Sequence, residues 1–223
     1  MKWFKSTVQF IIILSIPLLL VTTAIRLVLS PVFINLEYRM PGFPKDPYGF
    51  STEDRLYWAQ YSIDYLSGKI SHDEFSGQVL PSGDPLFNHR ELTHMLDVRM
   101  LTAQVLQVWW LILFLSVIIL MLALRFRFSL EWLQAVKSGS ILTISLILSI
   151  LLYVALDFNR LFTQFHLIFF EGDSWLFLLT DNLIRLFPLR FWQDLFIFIG
   201  AANLISAFLL YFLSKKIQGK IKT

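Results

Sequence analysis

Four largely uncharged, apolar stretches recur along the chain, and their lengths predict membrane-crossing helices over about 6–29, 100–124, 138–156 and 195–214. A crossing helix needs about 20 predominantly apolar residues, because every backbone polar group inside hydrocarbon has to be satisfied within the helix itself. A fifth apolar stretch, 161–170, is too short to cross and carries one histidine, His166, among four phenylalanines. Its length suits an interfacial or re-entrant segment, and an ionisable side chain there is a functional candidate. The expected fold is an all-α membrane protein with four transmembrane helices, an extracytoplasmic cap of short helices over 31–99, and an interfacial or re-entrant helix within a second outer segment, 157–194. All of this is expected to form one membrane domain, 1–223.

The composition agrees with a membrane class: 56% of residues are hydrophobic and only 16% charged, too apolar for an ordinary soluble domain. The first apolar stretch follows Lys2 and Lys5 like a signal peptide, but it is longer than a signal h-region and no Ala-x-Ala site follows, so a retained helix is expected. Charge then sets the orientation. Lys2, Lys5, Arg125, Arg127, Lys137, Lys215, Lys216, Lys220 and Lys222 flank the helices on one side with Glu131 as the one acid, whereas the other two connections are rich in acids. Basic residues near helix ends stay in the cytoplasm, so both termini are expected there. All four histidines, His72, His89, His94 and His166, then fall on the outer side. The net charge of +3 is accounted for by this bias and does not argue for nucleic acid.

Within the cap, Pro41, Pro44 and Pro47 with Gly42 and Gly49 predict irregular chain over 39–49. Ser51 followed by Asp54 predicts a helix start, with apolar spacing through Leu56, Ala59, Ile63 and Leu66 until Gly68. Ser71 and Glu74 predict a second short helix, which leaves His72 as a solvated residue at its first position. Asn88 and Glu91 form a third start signal, and that helix is expected to run on into the second crossing. Along it Arg90, His94 and Asp97 stand at i, i+4 and i+7 and share a face. A carboxylate one turn from a histidine fixes the ring's tautomer, which makes Asp97 the expected orienter of His94; the competing reading is a salt-bridged polar face.

In the second outer segment, Asp157 is expected to end the third crossing. Periodicity continues through Phe158, Leu161, Phe162, Phe165 and Phe169, predicting an amphipathic helix with an aromatic side for lipid. Asn159, Thr163 and His166 make its narrow polar stripe.

The chain has no cysteine, which excludes thiol catalysis, Cys-ligated metal and disulfides. It has no Gly-x-Ser-x-Gly elbow, no His-Glu-x-x-His helix and no glycine-rich phosphate loop. His94, His166 and Asp97 do not have typical metal-ligand spacing, so no metal and no cofactor is expected. Two histidines without a protein nucleophile suit a reaction whose nucleophile arrives with the substrate. The competing class is a non-enzymatic membrane lipid-binding or assembly factor.

Phe165-His166-x-x-Phe169-Phe170, followed by Trp175, Leu186-Phe187-Pro188 and Phe191-Trp192, resembles a bacterial family of four-helix integral membrane proteins that includes lipoprotein intramolecular transacylase. Arg90-Glu91-Leu92-Thr93-His94-Met95-x-Asp97-Val98 resembles the family's other outer motif, and Tyr38, Gly49 and Asp54-Arg55 its cap pattern. The resemblance implies a bacterial plasma-membrane acyltransferase whose partners are a diacylglyceryl-modified lipoprotein and membrane lipid. The implied reaction moves the sn-2 acyl chain to the α-amine of the lipoprotein's N-terminal cysteine, leaving the lyso form. An imidazole of ordinary pKa, about 6.5, suits a base acting on an α-amine of about 8. His166 and His94 are the expected catalytic pair, with Asp97, Arg90, Thr163 and Asn159 in support. Arg26, Arg160 and Arg190 are candidates for ester or headgroup contacts.

Overall fold

A computed structural model describes residues 2–222; Met1 and Thr223, which the expected domain range includes, lie outside the described residues, as do the side chains of Lys2, Trp3, Phe4 and Lys222. In chain order the helices are α1 (Lys2–Val28), α2 (Pro31–Tyr38), α3 (Thr52–Leu66), α4 (His72–Ser76), α5 (His89–Arg125), α6 (Ser129–Phe169), α7 (Asn182–Leu186) and α8 (Leu189–Lys222). Among the described residues α1, α5, α6 and α8 are long and apolar enough to cross a membrane, and no strand is present. The protein is therefore an all-helical, four-span membrane protein.

The fold has two compact units. The first contains the chain up to Ile25, Leu106–Tyr153 and the segment from Ile197 onward. Ile12 of α1 packs with Ala135 and Val136 of α6. Polar groups buried on these helices turn back on their own backbone: Ser140 Oγ donates to Val136 O and Thr143 Oγ1 to Gly139 O, both at 2.9 Å, and Asn203 Nδ2 donates to Ile199 O at 2.8 Å. Such bonds satisfy a hydroxyl or an amide N–H where water is absent. At the end of this unit that carries the basic residues, Lys5 pairs with Glu131 at 2.5 Å. Gly139 lies where α6 meets α1; an added Cβ would come within 2.8 Å of Ile16 Cβ and 3.0 Å of Ile13 O. Small residues let helix backbones approach closely where no hydrophobic driving force separates protein from lipid.

The second unit contains Arg26–Val105 and Val154–Phe196. Ser30 caps α2, with Pro31 at its first turn. Phe33 and Tyr38 then pack edge-on against Phe191, with ring centres at 5.9 and 6.3 Å, and the Tyr38 hydroxyl donates to Leu186 O. The irregular 39–50 stretch is held by two arginines. Arg55 donates to Pro44 O at 2.6 Å and lies over Tyr38 and Phe43. Arg185 pairs with Asp46 at 2.9 Å and lies 3.8 Å over Phe50. Ser51 and Asp54 form the expected reciprocal cap of α3. Tyr65, Phe75 and Phe87 stack in series, at 4.1 and 5.0 Å. His72 is not a solvated surface residue: it is half-buried, and its Nδ1 meets the Tyr65 hydroxyl at 2.9 Å, a partner on α3 that local spacing could not reveal.

Glu37 on α2 is 2% exposed and shares a hydrogen bond with Asp194, which is itself paired with Arg190. Burial first, and then the neighbouring Asp194 carboxylate and the hydrogen bond between the two groups, push the Glu37 carboxyl up to about 7 against a weaker pull from Arg190. A raised carboxyl favours the folded state at low pH: its contribution is complete below its unfolded pKa near 4.5 and is lost as pH rises through about 7. The thermal midpoint of the wild type, measured against Glu37→Gln between pH 5 and 8, should therefore fall relative to the variant as pH rises; a constant difference would contradict a shared proton. In the first unit, Gly139→Ala should lower the thermal midpoint in detergent by the equivalent of about 1–3 kcal/mol of overpacking. Gly200→Ala should cost less, because the three atoms nearest its added Cβ all belong to the Leu151 side chain, which has rotamers to yield.

Candidate active site

The site begins with a break in α6. Asp157 has φ −157° and ψ 82°, outside helical geometry, and its Oδ1 accepts from Arg160 N at 2.9 Å, as an N-cap does for a new helix. The segment that follows presents Phe158, Leu161, His166 and Phe170 as buried residues and leaves Asn159, Arg160, Gln164, Leu167, Ile168 and Phe169 exposed. The aromatic side expected to face lipid instead packs inward in large part. Phe158 and Phe165 meet Phe196 at 5.7 and 6.1 Å, and Phe162 meets Trp192 at 6.0 Å. The polar stripe is likewise redrawn, since Asn159 is exposed and Thr163 half-exposed while His166 is buried with the aromatic rings.

His94, in the second turn of α5, meets His166 with ring centres 5.9 Å apart and the planes 25° from parallel. Their residual exposures are 6% and 7%. Seventy-odd residues of chain separate them, so only the fold makes them a pair. Phe162 lies 4.2 Å and Trp175 4.9 Å from the His166 ring, Phe170 and Phe177 lie 5.0 and 5.3 Å from His94, and Phe165 closes the shell at 5.6 Å from His166.

His166 Nδ1 lies 2.7 Å from Phe162 O. A carbonyl oxygen only accepts, so Nδ1 carries the proton and Nε2 keeps its lone pair. His94 Nδ1 is buried without a hydrogen-bond partner. Burial first, and the neighbouring His166 second, disfavour a proton on His94, and burial likewise disfavours one on His166.

Asp97 does not hold His94 as expected. Its Oδ2 accepts from Ser174 Oγ at 3.4 Å, a partner supplied by the 171–178 loop. Arg90 serves the same loop, donating to Leu176 O at 2.9 Å. Asn88 Nδ2 reaches Asp181 Oδ1 at 3.2 Å, and Asp181 Oδ2 accepts from Leu178 N at 2.8 Å. The shared face of Arg90 and Asp97 is real, and its work is to clamp the loop that carries Trp175 and Phe177 beside the histidines. Glu91, which sequence reading treated only as a cap, is 1% exposed and accepts from both Asn88 N at 2.7 Å and Leu183 N at 2.6 Å, joining the start of α5 to α7. Arg190 is engaged with Asp194, while Arg26 and Arg160 are exposed at helix ends. Among the described residues no three His, Cys, Asp or Glu side chains are grouped to hold a metal ion.

The family described as lipoprotein intramolecular transacylase Lit matches residues 10–192, a span that contains both histidines and the loop between Phe170 and Phe177. The solved structure of the membrane integral lipoprotein intramolecular transacylase from Bacillus cereus superposes with a TM-score of 0.84 at 21% identity, covering 100% of this chain and 99% of that one. A form of the same protein with a histidine replaced by alanine superposes at 0.74, covering 100% and 97%. An uncharacterised protein of Aquifex aeolicus is 28% identical over 229 residues, covering 97% of this chain and 99% of its own length. The structural likeness carries the fold, and the match over 10–192 carries the kinship: the chain belongs to the lipoprotein intramolecular transacylase family of membrane acyltransferases.

Proposed function

We propose that the protein moves the sn-2 acyl chain of a lipoprotein's S-diacylglyceryl group to the α-amine of its N-terminal cysteine, at a site on the outer face of a bacterial plasma membrane. Both termini lie in the cytoplasm, as the bias of Lys and Arg toward one set of helix ends supports. The substrate is held by its acyl chains in membrane lipid, and nucleic acid has no part in the reaction. The observation that carries this reading is the buried His94–His166 pair, in which the tie from His166 Nδ1 to Phe162 O leaves Nε2 as a base.

In the reaction, His166 Nε2 accepts a proton from the α-amine as its nitrogen attacks the ester carbonyl. When the tetrahedral intermediate collapses, the carbon–oxygen bond to glycerol breaks, the sn-2 oxygen takes a proton from His94, and the proton held by His166 replaces it, so that both rings end neutral. No proton is gained or lost overall, so neither a protein nucleophile nor a cofactor is called for. The aromatic shell excludes water, which would otherwise compete with the amine for the ester. Holding amine and ester together removes much of the entropy of closing a ring of about eight atoms, and each placed acid or base adds about 10²–10⁴ in rate.

The transfer is an isomerisation, so the test follows the position of the acyl chain rather than the intact mass. Purified protein with a synthetic diacylglyceryl lipopeptide should yield N-acylated, sn-2-free product on fragmentation by tandem mass spectrometry. No label should arrive from added phospholipid; label transfer would mark an intermolecular acyltransferase, and unchanged lipopeptide a lipid-binding protein. His166→Asn and His94→Asn should each lower the rate by at least about 10²-fold, and normal turnover by His166→Asn would remove it as the base. Arg90→Ala should raise deuterium uptake over 173–178 and slow turnover by about 10- to 100-fold through misplacement of the loop.

A further inference from the structure

We propose that Trp175 is a catalytic residue of this site, its indole N–H donating to the ester carbonyl oxygen as that oxygen becomes an oxyanion. The inference rests on the acyl-transfer reading above and assigns the one charge in the reaction that the two histidines leave unattended. When the amine attacks, the carbonyl π pair moves to oxygen, and the new C–N bond leaves a tetrahedral centre bearing O⁻. His166 is engaged with the amine proton and His94 with the departing sn-2 oxygen. The remaining lining, Phe162, Phe165, Phe170 and Phe177, has no side-chain donor to offer.

Trp175 Nε1 is buried and makes no hydrogen bond, although its ring centre is 4.9 Å from that of His166 and tilted 31° to it. An indole nitrogen is a donor only, so what it awaits is an acceptor. Other indoles of the protein are satisfied by the chain: Trp192 Nε1 donates to Phe187 O at 3.1 Å, and Trp109 Nε1 to Thr23 Oγ1 at 2.9 Å. A buried donor without a partner in a native fold calls for a reason, and a catalytic role is a recognised one.

The residue is also held from both sides. Ser174 is bonded to Asp97 and the Leu176 carbonyl to Arg90, so the flanking peptides are fixed to α5, the helix that carries His94. Leu176 N donates back to Asp173 O at 3.0 Å, closing the turn around Trp175. Oxyanion stabilisation depends on donors set in place before charge develops, and this double tether supplies that placement. As the intermediate collapses, the oxyanion pair re-forms C=O, the C–O bond to glycerol breaks, and the indole keeps its proton throughout.

The test replaces Trp175 with phenylalanine and, by amber suppression, with 3-benzothienylalanine, which keeps the bicyclic shape and lacks the N–H. Both variants should lose about 10²–10³-fold in kcat on the diacylglyceryl lipopeptide with KM little changed, and the isostere should keep the wild-type thermal midpoint. Wild-type kcat from the benzothienyl variant would overturn the inference, since packing alone would then be enough. If the wild type makes no N-acylated product, the proposed reaction fails and the inference with it. If the wild type turns over and the benzothienyl variant keeps pace, only the role of Trp175 fails. Should Trp175→Phe misfold, the isostere alone decides.

Discussion

The break at Asp157 is the constraint on which the site depends. An apolar sequence that would otherwise continue as one helix stops at a residue with extended geometry, and the same residue's carboxylate caps the helix that resumes. The restart gives residues 158–169 a helical phase of their own, in which Phe158, Phe162, Phe165 and His166 pack against one another or against Phe196 and Trp192. Without an internal cap, the backbone groups freed at such a break would be left unsatisfied in a poorly hydrated setting. The aspartate thus ends one element, starts the next and indirectly places His166.

A second economy lies in how the cap and the histidine shell use polar groups. Glu91, Arg90 and Asp97 lie in the first turns of α5 and Asn88 immediately precedes it, and each reaches chain from the 171–183 region: Leu183 N, Leu176 O, Ser174 and Asp181. The element that bears His94 therefore also fixes the loop that closes over it. Among the described residues two buried polar atoms of the shell, His94 Nδ1 and Trp175 Nε1, stay without a partner. In an enclosure of aromatic rings those two atoms, with His166 Nε2, are the ones to which the proposed reaction assigns its proton transfers and its oxyanion.

Much of this was legible along the chain. Long uncharged runs announced four spans, Ser51 with Asp54 and Asn88 with Glu91 announced helix starts, and both catalytic candidates stood out as lone histidines in apolar or charged-face contexts. Other readings failed where a distant partner decided the outcome. His72 looked solvated because nothing nearby in sequence binds it, yet Tyr65 does so across a helix pair. Asp97 looked like the partner of His94 because helical spacing allows it, yet Ser174 competes from a separate loop. The 158–169 helix was assigned a lipid-facing aromatic side because periodicity reports that a face is apolar and says nothing about what covers it.

The sequence by itself determined the membrane class, the helix count, the absence of thiol chemistry and the two histidines, because hydropathy, capping and residue inventory are local properties. Tertiary structure alone decided that those histidines stack 5.9 Å apart, that an arginine and an aspartate serve a loop rather than a ring, and that one indole N–H is buried with nothing to bond. Those outcomes depend on which elements meet, and contacts between residues far apart in the chain leave no periodic trace in the elements that make them.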